Sequence, residues 1–228
     1  TWKYNSNNDI LEHKLYSWDS EENILKGYWA EFNEYDVNNN LILHSVFDYD
    51  KESQSFTTKN WKQEWVYDTE ENLTSTTVFT VGDNNTWTYY WKTEYKYDYS
   101  SFLYEDLTYE YNTDIAEWTL YTKTLHDRDY TNLINTDIIQ YNDVEGNWYD
   151  NTKIRTWEND YEEDTLIETF RYDNDQQKWL LTEKTSKQWD FTLHKLTHSA
   201  TYYSDNTLKS EYTNTFNEEG EFIETVSY

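Results

Sequence analysis

Polar and apolar residues alternate along much of this 228-residue chain. In TWTYYWKTEYKY, residues 86–97, the positions Trp87, Tyr89, Trp91, Thr93, Tyr95 and Tyr97 share one parity, while Lys92, Glu94 and Lys96 fall on the other. A period of two is the signature of a β-strand. Thr, Tyr, Trp, Val and Ile fill most such runs, and all of them suit a pleated surface. No run sustains helical spacing. The chain has no Pro, as long strands that need every backbone donor require.

The runs are punctuated at a fixed interval. One mark, an aromatic residue before Asp or Asn, stands at Tyr4-Asn5, Tyr35-Asp36, Tyr67-Asp68 and Tyr97-Asp98, and in degenerate form at Arg128-Asp129, Asn159-Asp160, Trp189-Asp190 and Phe216-Asn217. A second stands at Trp18-Asp19, Tyr49-Asp50, Val81-Gly82, Tyr111-Asn112, Tyr141-Asn142, Tyr172-Asp173 and Tyr203-Ser204. Both marks step by about 31 residues, the signature of an internal repeat. The units run 4–34, 35–66, 67–96, 97–127, 128–158, 159–188 and 189–215, with a partial unit 216–228, and form a single array over residues 1–228.

Large apolar residues open the runs after each mark: Leu41, Leu73, Leu103, Leu166 and Leu196 after the first, and Leu25, Phe56, Trp87, Trp118, Trp148 and Trp179 after the second. Each unit is therefore strand, turn, strand, turn. The turns are rich in Asn, Asp and Glu; Asn and Asp side chains bond the local backbone and tolerate left-handed conformations. Connections this short impose antiparallel pairing. The expected fold is all-β, an antiparallel meander of about fourteen or fifteen strands, with hairpins near residues 20–23, 51–54, 82–86, 112–116, 143–147 and 173–177 and no helix beyond a turn. Runs of nine or ten residues are about 30 Å long and the sheet about 70 Å wide, an elongated, open, twisted or superhelical sheet. A rolled spiral or barrel is the alternative. Glu105, Asp137 and Glu168 dilute the apolar parity, so aromatic ladders between repeats must stabilise the sheet.

Composition narrows the function. Lys and Arg number 18 against 45 Asp and Glu, a net charge of −27. Such a surface repels nucleic acid and anionic membranes and favours cations or neutral partners. Hydrophobic residues make up 36% of the chain, which with this charge suggests disorder, yet an aromatic content of 20% points to a folded protein. The absence of Cys excludes disulfides and thiol chemistry. No apolar run reaches the length of a membrane-spanning helix, and no leader-like segment opens the chain. Its start at Thr1 and the lack of Met suggest a processed protein or a segment of a longer one.

The units KYNSNNDILEHKLYSWD, EWVYDTEENLTSTTVF and EYKYDYSSFLYEDLTYEYN resemble the tandem repeats of secreted and cell-surface proteins of Bacteroidota, which read roughly Tyr-Asp-x-x-Gly-Asn-Leu-Thr, a strand, Trp-Asp with a polar turn, Trp, and a further strand. Residues 67–76 match the first half closely, and the Gly of that pattern is met at Gly220. The resemblance implies an extracellular or cell-surface location and export by the type IX secretion system, although no C-terminal sorting domain is present in these residues. A fainter likeness is to the shorter, Gly-richer Tyr-Asp repeats of Rhs and Tc-toxin shells.

Little in the sequence reads as catalysis. His13, His44, His126, His194 and His198 fall in separate stretches; on a strand His194 and His198 would stand about 13 Å apart, too far to share a metal. Phosphate loops and nucleophile elbows are missing. The breaks in the repeat, LHDRDYTNL at 125–133 and WENDYEEDTL at 157–166, are where a function or a tolerated turn variant would sit. Turns such as 36–40 offer alternating oxygens, as a calcium loop does, but lack its Gly and terminal Glu; no cofactor is expected, with calcium the one candidate. Exposed aromatics can stack on sugar rings, which makes Trp87, Tyr89, Trp91, Tyr95, Trp118 and Trp148 the candidate ligand-binding residues. The expected role is non-enzymatic: a structural or adhesive surface protein joined to itself or to other surface proteins through sheet edges, or else a carbohydrate-binding module.

Overall fold

The computed structural model describes residues 1–20, 23–143, 145–190, 192–217 and 219–228. Sixteen strands form one antiparallel sheet in strict sequence order, not closed into a barrel. They are β1 (Trp2–Tyr4), β2 (Ile10–Asp19), β3 (Ile24–Tyr35), β4 (Leu41–Asp50), β5 (Ser55–Tyr67), β6 (Leu73–Gly82), β7 (Thr86–Tyr97) and β8 (Leu103–Asn112), followed by β9 (Glu117–Asp129), β10 (Ile134–Asn142), β11 (Trp148–Glu158), β12 (Asp164–Asp173), β13 (Lys178–Asp190), β14 (Lys195–Tyr203), β15 (Leu208–Phe216) and β16 (Phe222–Ser227). The expected meander is present with one strand more than the upper count, because the short runs at Trp2–Tyr4 and Phe222–Ser227 both pair. The only helical element among the described residues is a 3₁₀ turn at Asp83–Asn85. All six expected hairpins lie between the strands foreseen for them; residues 21, 22 and 144 of two of these turns lie outside the described residues.

By packing, the chain divides into two compact units, Thr1–Phe102 with Asp106–Tyr121, and Leu103–Glu105 with Thr122–Tyr228. In neither is there a conventional core. Among the described residues the buried hydrophobics are Ala30, Phe79 and Ala200, and no large side chain is fully buried.

Two turn designs close the hairpins. In the first, an Asx residue receives backbone N–H groups two and four positions on, as Asp36 Oδ1 accepts from Asn38 N at 2.9 Å and Asn40 N at 2.8 Å. The chain closes with Asp36 N donating to Asn40 O and Asn39 N donating to Asp36 O. The fourth residue of this turn must take positive φ, and it does at Asn8, Asn39, Glu71, Ser101, Gly146, Glu162 and Gly220; the turn opened by Tyr203 has the same backbone bonds with Asn206 at positive φ. This is the position of the Gly in the Tyr-Asp-x-x-Gly pattern, so Gly146 fills it as well as Gly220. The second design puts positive φ one residue later, at Asn23, Gln54, Ala116, Leu133, Gln177 and His194. Its Asp accepts from the next N–H groups, as Asp129 Oδ1 does from Thr131 N and Asn132 N.

Up to residue 112 the first mark always carries the first design. Beyond it the designs alternate: the second is at Asp129 and Asp190, the first at Asn159 and Asn217. There the Asx residue is Asn159 rather than Asp160, and Asp143 rather than Asn142, a one-residue slip from the positions marked in the sequence.

Bulges follow the same period. Return strands carry extra residues against their partners: Tyr28 in β3, Thr57 and Asn60 in β5, Tyr90 in β7, Asn151 in β11, Thr182 in β13 and Lys209 in β15. A bulge shifts the side-chain alternation by one. At the bulged Thr74, Thr165, Thr182 and Thr197 the hydroxyl donates to a carbonyl of the partner strand, as Thr74 does to Val66 O and Thr165 to Trp157 O, both at 3.0 Å.

The left-handed turn residues generate a direct test. An L-residue in that region costs about 1–2 kcal/mol against Gly, partly offset by the greater chain entropy of Gly in the unfolded state. Replacement of Glu71 (φ 66) by Gly should therefore stabilise the chain by about 1 kcal/mol, read as a raised denaturation midpoint at unchanged m-value.

Candidate functional site

The aromatics expected to bind a ligand do not share one face. Phe79 pairs with Tyr89 and Val78 with Trp91, because Tyr90 is bulged between them. Trp87 and Tyr89 therefore lie with Lys92 and Glu94 on one side of the sheet, while Trp91 and Tyr95 lie on the other. Trp118 joins the first group, its ring 5.3 Å from Tyr89 and 5.1 Å from Tyr111. Trp91 instead meets Tyr121 at 5.4 Å. Trp148 belongs to the second compact unit.

The tryptophans of the first side are roofed by the protein's own lysines. Lys62 Nζ stands 3.9 Å from the Phe79 centroid and 5.8 Å from that of Trp87. Lys92 lies 4.6 Å from Tyr109 and 5.5 Å from Trp118. In the second unit Lys123 lies 4.7 Å from Trp148, and Lys153 lies 4.6 Å from Phe170 and 5.0 Å from Trp179. In each case the lysine precedes the tryptophan by 25 or 26 positions, so a return strand covers the ring that opens the next. Glu64 and Glu94 pair with Lys62 and Lys92 on the same side. Burial, and then the neighbouring Arg155 charge, push the Lys153 ammonium below its ordinary pKa.

The Tyr of the repeated mark has its own cross-repeat bond. Tyr35 Oη donates to Ile10 O and Tyr67 Oη to Leu41 O, each at 3.2 Å, and Trp189 Nε1 donates to Asp164 O at 2.7 Å. All three acceptors lie 25 or 26 residues earlier, just after the preceding turn. Burial, and then nearby carboxylates such as Asp9 or Asp36, raise the phenol pKa of Tyr35 and Tyr67. At the irregular units an ion pair instead joins two successive marks, Arg128 Nη2 donating to Glu158 Oε2 at 2.9 Å, with Glu162 Oε1 at 3.8 Å. Asn135 Nδ2 donates to the second Glu158 oxygen. The breaks in the repeat thus hold a substituted structural link.

Each histidine has its own partner. His13 meets Glu31 at 3.3 Å, His44 meets Asn33 at 2.6 Å, His126 meets Asp137 at 2.7 Å, His194 meets Glu163 at 2.9 Å and His198 meets Glu211 at 2.7 Å. His194 sits in a turn at φ 52, not in a strand. The turn oxygens proposed for calcium are already bonded: Asp36 Oδ1 by two backbone N–H groups and Oδ2 by Asn40 Nδ2.

The open feature that sequence parity missed is a shallow dish on the side opposite the ladder, lined by Tyr28, Trp29, Glu31, His44, Asp48 and Trp61 among others. The bulges at Tyr28 and Asn60 turn these side chains to a common face. Tyr28 is 64% exposed and Trp61 36%. The His44 and Trp61 rings lie 4.9 Å apart, His13 is edge-on to Trp29 at 5.0 Å, and Trp2 stacks on His13 at 3.5 Å.

No protein-family model matches the chain, and no curated protein matches it in sequence. Among solved structures, a protein of unknown function from Bacteroides fragilis aligns with TM-score 0.50 and 12% identity over 55% of this chain and 90% of that one. A DUF3836 family protein from Bacteroides vulgatus aligns at TM-score 0.30 and 15% identity, over 54% of this chain and 92% of its own. A porin-like protein from Bacteroides uniformis gives TM-score 0.38 and 9% identity, over 99% of this chain and 86% of its own. At these identities the first shows a likeness of fold alone, and the other two carry no argument. No helix among the described residues is long and apolar enough to cross a membrane.

Two tests follow. Trp118 is half-buried, so Trp118→Ala should cost about 2 kcal/mol, less than the 3–5 typical of a fully buried ring, measured by chemical denaturation. For pH, backbone N–H groups together with side-chain donors, the Ser53 hydroxyl at Asp50 and amide N–H groups at the others, hold the Asp36, Asp50, Asp68, Asp129 and Asp143 carboxyls below their ordinary pKa. Depressed carboxyls add stability above their unfolded pKa of 3.8 and lose it as pH falls through the folded value. Stability should therefore drop in acid below about pH 4. Asp68→Asn should fold and show a shallower drop, since Asn5, Asn159 and Asn217 already cap equivalent turns.

Proposed function

We propose that this chain is a non-enzymatic, extracellular or cell-surface repeat protein with a structural or adhesive role, joining itself or other surface proteins through the edges of its sheet. The observation that carries this reading is the state of the two end strands. Among the described residues, β1 pairs only with β2 and β16 only with β15. Trp2 (50%), Tyr4 (49%), Phe222 (60%) and Ile223 (56%) are exposed on them. An unblocked edge with apolar side chains invites another strand. The repeated cross-links between hairpins support the same role, because they tie neighbouring hairpins into a rigid sheet. The surface location rests on the resemblance to secreted Bacteroidota repeats.

A carbohydrate-binding role has less support at Trp87, Trp118 and Trp148, whose faces carry the protein's own lysines. It keeps a footing at the exposed ring of Tyr89 and in the dish beside Trp61.

Sedimentation and electron microscopy of the purified chain across a concentration series test the primary reading. Concentration-dependent oligomers or filaments that disappear in an Ile223→Lys variant are expected. A discrete monomer at every concentration contradicts association through the edges.

A further inference from the structure

The ladder side shows what this protein places beside its aromatics and carboxylates. Lys92 sits over Tyr109 and Trp118 and bonds Glu94 at 2.7 Å. Lys62 sits over Phe79 and Trp87 and bonds Glu64. An ammonium is held by ring faces on one side and by a carboxylate on the other, the arrangement that favours cations over neutral groups.

The dish over β3, β4 and β5 has the same two components. Tyr28, Trp29 and Trp61 supply ring faces, and Glu31 and Asp48 supply carboxylates on the same side of the sheet, since Trp29 pairs with Asp48 and Glu31 with Val46, which in turn pairs with Trp61. Among the described residues lining it there is no Lys or Arg. Its one basic side chain is His44, which burial holds below the ordinary imidazole pKa. Among the described residues, Asp48 takes only the Asn60 amide, 3.2 Å from each oxygen, and Glu31 only His13 at 3.3 Å, and neither is paired with a lysine or arginine. The surrounding charge of −27 adds attraction for cations and repels anionic ligands.

We propose that this dish receives the ammonium group of a lysine side chain presented by a partner protein. The tip exposure of Tyr28 and Trp61 leaves room for a side chain entering from above, and the carboxylates meet its charge. The seat is independent of edge association, because it lies within one compact unit and on the face of the sheet rather than at its ends.

The probe is Nα-acetyl-lysine methylamide, titrated against the full chain in about 0.5 M salt, which shortens the screening length to a few ångströms and suppresses diffuse attraction. Tryptophan indole N–H resonances report the contact, and Nα-acetyl-norleucine methylamide and N-acetylglucosamine are the uncharged comparisons. Saturable shifts confined to Trp29 and Trp61 are expected with the lysine probe, with affinity at least about fivefold weaker in Trp61→Ala and in Asp48→Asn. The second variant keeps the ring contacts, so loss of binding there cannot come from a disturbed fold. Trp91→Ala, the corresponding ring one repeat on, should bind as the parent does. Equal binding of the lysine and norleucine probes overturns the proposal. So do preferential binding of the sugar and unsaturable shifts across all the indoles.

Discussion

The constraint from which this structure follows is the lack of a second layer among the described residues of either compact unit. A sheet covered on one face buries large side chains between layers; here none is fully buried among the described residues, and stability must come from side chains reaching along the sheet itself. A link between hairpins has to span about 25 residues of sequence, and both recurring links do: an aromatic donor returns to the carbonyl after the preceding turn, and a lysine covers the ring that opens the next return strand. Each link is modest, about 0.5–1.5 kcal/mol for a hydrogen bond and about 0.5–2 for a cation over a ring. Their sum over a repeat array scales with the number of neighbours, as in other one-dimensional assemblies.

The same constraint accounts for the composition. Rings and lysine stems cover backbone on both faces without forming a dry interior. Ala30 is wholly covered, and Gly27 lets the Tyr49 ring lie where a Cβ would stand 2.2 Å from it. Excess Asp and Asn go to the turns, where they bond backbone N–H groups that a hairpin of this kind leaves unpaired. When the Tyr of the mark is lost, the link is replaced by other chemistry: indole N–H at Trp189, and guanidinium to carboxylate at Arg128 and Glu158.

Strand type, hairpin position and meander order were legible because period-two alternation and turn residues are local signals, repeated often enough to reinforce one another. The facing of individual side chains was not. Trp87, Tyr89, Trp91 and Tyr95 have one parity in sequence, yet the extra residue at Tyr90 divides them between two faces. Nothing in the letters marks that residue as unpaired, since a bulge is set by how two strands register. The dish was missed for the same reason: the bulges at Tyr28 and Asn60 bring its residues together from three strands. The shift from one turn design to the other at Asp129 was also hidden, because both begin with Asp and differ only in where the left-handed residue falls.

The central claim is that lysine-on-tryptophan contacts between neighbouring return strands stabilise the sheet. Lys123 and Trp148 offer the cleanest pair, 4.7 Å apart, and a double-mutant cycle with Lys123→Met and Trp148→Leu isolates their interaction. A favourable coupling of about 1 kcal/mol, retained in high salt as expected for a partly desolvated cation over a ring, is the result this account predicts. A coupling of zero, with the two substitutions simply additive, would contradict it.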